Sequence, residues 1–259
     1  METISGARAL MKALEKEGVK EVFGLPGGAN LPMYDELYKS NIRHILVRHE
    51  QSAAHMADGF GRVSRKPGVC FATSGPGATN IITGLATAQA DSSPMVAITG
   101  QVPVNMIGRD AFQESDIIGI ANPVVKYSFQ PRHASEIPTV IKKGFYIAET
   151  GRPGAVLIDI PKDVQQNEAP MEFPEEIKIR GYHPWTDPDV IAIEKAITLL
   201  LSSSKPVILA GGGVIISGAF AELQSLAEML MIPVVTTFKG KGAFPETHAL
   251  SVGPIGMHG

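Results

Sequence analysis

Short apolar runs alternate along this chain with longer stretches in which apolar residues recur at helical spacing. EVFG (21–24), HILV (44–47), VCFAT (69–73), MVAIT (95–99) and AVLIDI (155–160) have the length of strands. Most are apolar on both faces, as in strands that lie in a parallel sheet under two layers of helices. Helical periodicity fills the gaps at 31–39, 51–64, 78–90 and 137–150. At the start of the chain Ile4, Ala7, Leu10, Met11 and Leu14 repeat at the same spacing. The alternation predicts an α/β domain, a doubly wound parallel sheet, over residues 1–164.

From 165 to 188 the pattern lapses. QQNEAPMEFPEEIKIRGYHPWTDP is rich in proline and charge and predicts an exposed connector. Periodicity then resumes over 189–259: a helix at 190–201, the strand KPVILA, a glycine turn at 211–213, a helix at 219–231 and the strand PVVTT. This is one βαβ unit of a second, Rossmann-like α/β domain. One such unit with a short tail buries too little of a sheet, so the second domain is expected to be partial.

Composition adds exclusions. The 23 basic and 26 acidic residues give a formal charge of -3, and no Lys/Arg run points to a nucleic-acid partner. Glu2, Arg8, Lys12, Glu15, Lys16 and Glu17 break up the first helix, so neither a signal peptide nor a membrane span is expected there. The single cysteine, Cys70, sits in an apolar strand and is expected to be a small buried hydrophobe. A cytoplasmic location fits such cysteine usage.

Three segments carry candidate chemistry. GGGV after KPVILA is a strand-to-helix glycine turn without GxGxxG spacing, and a tight turn is its simpler reading. TSGPGATN (73–80) also joins a strand to a helix. Its glycines serve either a close backbone approach to a ligand or a strained connection. In RHEQSAAHMADGFGR (48–62), Glu50 follows a strand end, where open α/β sheets bind ligands, although a glutamate at a helix start is commonly a capping or solvated group. His49 and His55 are six apart, off the spacing of helical metal ligands.

Taken in order, VFGLPGGANLPMYDEL, RHEQSAAHMADGFGR, GVCFATSGPGATNIITGLATA, VAITGQVP, GRDAFQESDIIGI and GRPGAVLIDIPKDV resemble the pyrimidine-binding domain of the acetolactate synthase family. The likeness continues through the connector into that family's FAD-associated central domain, as far as GMHG. It implies a thiamine diphosphate-dependent transferase of branched-chain amino-acid biosynthesis that condenses two 2-oxo acids with decarboxylation. Pyruvate would be the donor, with pyruvate or 2-oxobutyrate as acceptor. The resemblance also implies a homodimer or homotetramer with a possible regulatory small subunit. Another thiamine diphosphate decarboxylase, carboligase or pyruvate oxidase-like enzyme is the alternative, and a non-catalytic binding module is a third; DAFQE together with GMHG favours the synthase.

The same resemblance assigns residues. Glu50 matches the acid that hydrogen-bonds N1′ of the cofactor's aminopyrimidine and so promotes loss of the proton from thiazolium C2. Thr73, Pro76 and Asn80 match positions on the pyrimidine side of the site, not a phosphate cradle. Gln113 matches the side chain that reaches the reacting centre, beside Phe112 in the substrate pocket. Gly28, Ala29, Pro103, Ala111 and Lys162 match positions around the access channel. Arg152, Met257 and His258 match residues near FAD. Leu25 stands where many members have tyrosine. The family holds Mg²⁺ and the diphosphate through a GDG motif that this sequence lacks, so those ligands are expected outside this chain.

Overall fold

All five strands expected in the first domain form, in a computed structural model that describes residues 2–184 and 187–257. The chain divides into two units, Met1–Pro184 and Trp185–Gly259. The first begins β1 (Glu2–Ser5), α1 (Gly6–Lys16), β2 (Glu21–Gly24), α2 (Leu31–Tyr38), β3 (Arg43–Leu46), α3 (Glu50–Ser64) and β4 (Gly68–Ala72). It continues through α4 (Pro76–Asn80), α5 (Ile82–Ala90), β5 (Met95–Gln101), α6 (Ile117–Ala121), β6 (Tyr127–Phe129) and α7 (Ile137–Glu149). It closes with β7 (Ala155–Pro161), α8 (Lys162–Gln166) and β8 (Glu168–Met171).

Six of these strands make one parallel sheet in the order β3-β2-β4-β5-β7-β6. Successive side chains in a strand point to opposite faces, and the apolar runs use both. In β7, Val156, Ile158 and Ile160 join Leu10, Leu14, Ile141 and Phe145 of α1 and α7 in one core layer. Ala155 and Leu157 join Ala54, Ala57 and Leu85 of α3 and α5 in the other. Each fully buried leucine or isoleucine contributes about 1.5–3 kcal/mol. Cys70 is wholly buried in the second layer, and burial pushes its thiol up to about 12. That is the inert hydrophobe expected of it.

Several elements depart from expectation. Residues 2–5 are not the start of the first helix; they pair antiparallel with β8, from Glu2↔Met171 to Ser5↔Glu168. Ser5 ends the strand by capping α1, its side chain accepting from Arg8 N. Residues 165–171 of the expected connector thus fold with the first unit. β6, a partly exposed strand of three residues, is a further addition. The helix expected over 78–90 starts earlier and is broken at Ile81, which caps both α4 and α5.

The second unit contains α9 (Val190–Ser202), β9 (Ile208–Ala210), α10 (Gly212–Ser217), α11 (Phe220–Leu230), β10 (Val234–Thr236) and β11 (Ser251–Pro254). Its parallel sheet runs β11-β10-β9, so the tail supplies a third strand beyond the expected pair. The glycines at 211–213 lead straight into α10, with Gly211 at its cap position. The buried core here is small: Ala210, Ala227, Val234, Ala243 and Phe244. No helix among the described residues is long and apolar enough to cross a membrane.

Candidate active site

After β2 the chain crosses to β3 on one side, then returns to β4 on the other. The turns after β2 and β4 therefore leave the sheet in opposite directions. The crevice this opens at the carboxyl ends of the strands is where open α/β sheets bind ligands. Gly28 and Ala29 follow β2, Glu50 follows β3, and Thr73, Pro76 and Asn80 follow β4. Pro103 and the 111–113 segment follow β5, and Lys162 follows β7. Connectivity alone brings all of them to one edge.

Glu50 opens α3 without capping it. His49 holds the cap position in extended backbone, and its Nδ1 accepts from Gln51 N at 3.2 Å. The Glu50 carboxyl is thereby left free for another partner while still favoured by the helix dipole. It is 9% exposed, and its Oε2 accepts from the Asn80 side-chain amide at 2.9 Å. Its Oε1 makes no hydrogen bond among the described residues.

Two glycines shape the wall beside this carboxyl. A Cβ added to Gly77 would stand 2.7 Å from Thr73 Cγ2 and 3.2 Å from Glu50 Oε1, so only glycine keeps that space. Gly75 has φ +58°, and a Cβ there would lie 2.5 Å from the Gln113 carbonyl oxygen. The turn after β4 is thus pressed between Glu50 and the loop that carries Gln113. Thr73 Oγ1 accepts from Ala29 N at 3.1 Å, which ties the turn after β2 to the same wall.

Two family models match the chain: the thiamine pyrophosphate enzyme N-terminal TPP binding domain over residues 4–120, and the thiamine pyrophosphate enzyme central domain over residues 193–259. The chain is 57% identical over 259 residues to a probable acetolactate synthase large subunit of Methanocaldococcus jannaschii, covering 99% of this chain and 44% of that one. It is 50% identical to an acetolactate synthase of Mycobacterium bovis, covering 100% of this chain and 42% of that one. It is 48% identical to the acetolactate synthase isozyme 3 large subunit of Escherichia coli K12, covering 100% of this chain and 46% of that one. This chain belongs to the thiamine pyrophosphate enzymes. It spans less than half the length of these curated relatives.

In this thiamine pyrophosphate enzyme domain, Gln113 is exposed and has φ +57°, in a loop whose Asp110 also has positive φ, +54°. Phe112 beside it is 88% exposed. Glu114 holds the loop together by accepting from the amides of Gly108 and Ala111, which keep its carboxyl below the ordinary range. Gly28 and Pro76 are exposed, Ala29 is buried, and Pro103, Ala111 and Lys162 are partly buried.

The residues matched to flavin binding lie elsewhere. Arg152 sits in the turn before β7, at the amino edge of the sheet, opposite Glu50. Its Nε donates to Ser92 Oγ at 2.7 Å and its Nη2 to the Ala90 carbonyl at 3.0 Å. Met257 belongs to the second unit and is 94% exposed, and His258 lies outside the described residues.

Buried polar residues are what sequence reasoning missed at this edge. Gln165 is fully buried, and its Nε2 donates to the carbonyls of Ala29 and Ile160, both at 2.8 Å. Asp159 is fully buried and accepts from Thr99 Oγ1 at 2.6 Å, Gln130 Nε2 at 2.8 Å and Gln101 Nε2 at 3.1 Å. Burial pushes its carboxyl up to about 6, against the opposing effect of those three donors. The available signal was a polar residue at the carboxyl end of an otherwise apolar run, in AITGQ and LIDIP.

Proposed function

We propose that this edge of the first unit holds the aminopyrimidine of thiamine diphosphate, in an enzyme that condenses two 2-oxo acids with decarboxylation. The observation that carries this reading is the Glu50 carboxyl: nearly buried, one oxygen engaged by Asn80 and the other, among the described residues, unpartnered beside the space kept by Gly77. When bound, thiamine diphosphate would supply a thiazolium that takes up the electron pair left behind as the carboxylate departs as CO₂. Glu50 holds and shares a proton at N1′ of the pyrimidine, a task for a carboxyl screened from water. Thr73, Pro76 and Asn80 line the ring, and Asn80 fixes the orientation of Glu50. Gln113 and Phe112 face the substrate, with Gly28, Ala29, Pro103, Ala111 and Lys162 around its path.

The high identity to acetolactate synthases supports pyruvate as donor, pyruvate or 2-oxobutyrate as acceptor, and a role in branched-chain amino-acid biosynthesis. Mg²⁺ and the diphosphate fall to residues outside these 259, supplied by a second copy in a homodimer or homotetramer. The relatives' designation as large subunits supports a smaller regulatory partner. FAD is assigned to Arg152, Met257 and His258. Because Arg152 is already tied to the turn before β5, its contribution is to hold that turn as a platform. Arg152→Ala should therefore weaken flavin retention, read as the flavin absorbance of the purified protein.

The test is direct. The protein as its gene encodes it, supplied with thiamine diphosphate and Mg²⁺, should convert pyruvate to acetolactate. Pyruvate consumption that ends in acetaldehyde or acetyl phosphate would move the assignment to a decarboxylase or an oxidase.

A further inference from the structure

The loop that carries Phe112 and Gln113 packs against the turn at Gly75 but makes few hydrogen bonds to the sheet. Its internal bonds, from Gly108 and Ala111 to Glu114 and from Glu114 N to the Ala111 carbonyl, shape it without anchoring it. Among the described residues, one side-chain hydrogen bond joins the sheet to residues 108–115. Gln101 Nε2, at the end of β5, donates to the Ser115 carbonyl at 3.0 Å.

That bond depends on how the Gln101 amide is turned. Its oxygen accepts from Val102 N at 2.9 Å. Its two amide protons go to Ser115 O and, at 3.1 Å, to Asp159 Oδ2. Asp159 Oδ2 also accepts from Gln130 Nε2, and Oδ1 accepts from Thr99 Oγ1. All three neighbours present donors, so Asp159 serves here as an acceptor on both oxygens. An amide has a fixed arrangement of two donors and one acceptor, and an acceptor at Asp159 Oδ2 admits one orientation only. Turning it over would set the Gln101 oxygen against Asp159 and leave Val102 N facing an NH₂ group, each costly in a buried site. Gln101 is 2% exposed and Asp159 is fully buried, so water cannot stand in for either partner.

We infer that Asp159 and Gln101 are positioning residues: Asp159 orients the Gln101 amide, and Gln101 fixes the loop that presents Gln113 and Phe112 to the substrate. The consequence for catalysis rests on the function proposed above; the consequence for the loop does not. Among the described residues neither side chain hydrogen-bonds Glu50, Thr73 or Asn80, so cofactor affinity and substrate handling should separate.

The experiment compares wild type, Gln101→Met and Asp159→Asn in the protein as its gene encodes it. Two readouts are amide hydrogen exchange over residues 108–116 against β5 and β7, and kinetics with pyruvate at saturating thiamine diphosphate. Gln101→Met removes both amide donors and should speed exchange in the loop about tenfold or more, with the strands unchanged. It should lower kcat/KM for pyruvate about tenfold while the concentration of thiamine diphosphate for half-activation stays within about twofold. Asp159→Asn keeps an acceptor facing Gln101, because the Thr99 hydroxyl can turn to accept from the new NH₂. It should hold loop exchange within about threefold of wild type. Unaltered loop exchange in Gln101→Met overturns the inference whatever the activity. If Gln101→Met does not fold, Asp159→Asn decides alone, and loop exchange about tenfold faster there overturns the orientation argument. A wild-type protein that neither binds thiamine diphosphate nor consumes pyruvate sinks the proposed function, while the exchange comparison still tests the anchor.

Discussion

At the scale of single residues, two carboxyls at the same sheet edge have opposite surroundings. Among the described residues Glu50 keeps one oxygen without a partner, whereas both oxygens of Asp159 are filled by neutral donors. Burial is the largest influence on Asp159 and moves its carboxyl from the ordinary 3.8 up to about 6, with the charge of Arg132 the smallest of the opposing influences. The folded state therefore binds this proton more tightly than the unfolded chain does. The associated stability is fully present below about pH 4 and is lost as pH rises to about 6, at most on the order of 3 kcal/mol. Chemical denaturation of Asp159→Asn between those pH values should show a flatter profile than wild type. A steeper or unchanged profile would mean that Asp159 stays ionised throughout.

At the scale of elements, the site depends on close approaches between turns. A Cβ on Gly75 would meet the Gln113 backbone at 2.5 Å while φ is +58°, so Gly75→Ala carries both a clash and left-handed strain. It should destabilise the first unit by about 1–3 kcal/mol and displace the Gln113 loop, seen as lower kcat/KM at near-normal folding. The strands and long helices were readable because Val69, Phe71, Val96 and Ile158 follow patterns with a fixed period. β1 and β8 were not, since Glu2, Thr3, Ser5, Glu168 and Pro170 show no alternation and pair across the whole length of the unit. The break at Ile81 was also invisible, as its neighbours suit a helix on either side. Glu50 was located by the strand-end rule, but its role came from the resemblance. Its freedom from capping duty depends on His49, and no local pattern shows that. Gln101, Asp159 and Gln165 were missed because each reads as a polar exception in its segment, and most of their partners lie 14 to 136 residues away.

At the scale of the whole chain, apolar burial is unevenly divided. The first unit has a core layer on each face of a six-stranded sheet, whereas among the described residues the second buries a five-residue apolar cluster, and Ile232 besides, around three short strands. Helix α9 buries none of its residues and leaves Val190, Ile191, Leu199 and Leu201 more than half exposed. Residues 1–184 expressed alone should unfold cooperatively with dispersed amide resonances. Residues 185–259 alone should lack a cooperative transition, since so small a core does not offset the ordering entropy. A sharp thermal transition in the shorter piece would contradict this division.

The central claim is that Glu50 activates thiamine diphosphate bound at the carboxyl edge of the first sheet. Its most direct measurement is proton–deuterium exchange at C2 of the bound cofactor, followed by quenched NMR in wild type and Glu50→Gln. Wild type should exchange far faster than free cofactor, and Glu50→Gln should lose about 10²–10⁴-fold of that rate, the span of a lost acid–base group, with unchanged thermal stability. Equal exchange rates in the two proteins would contradict the account.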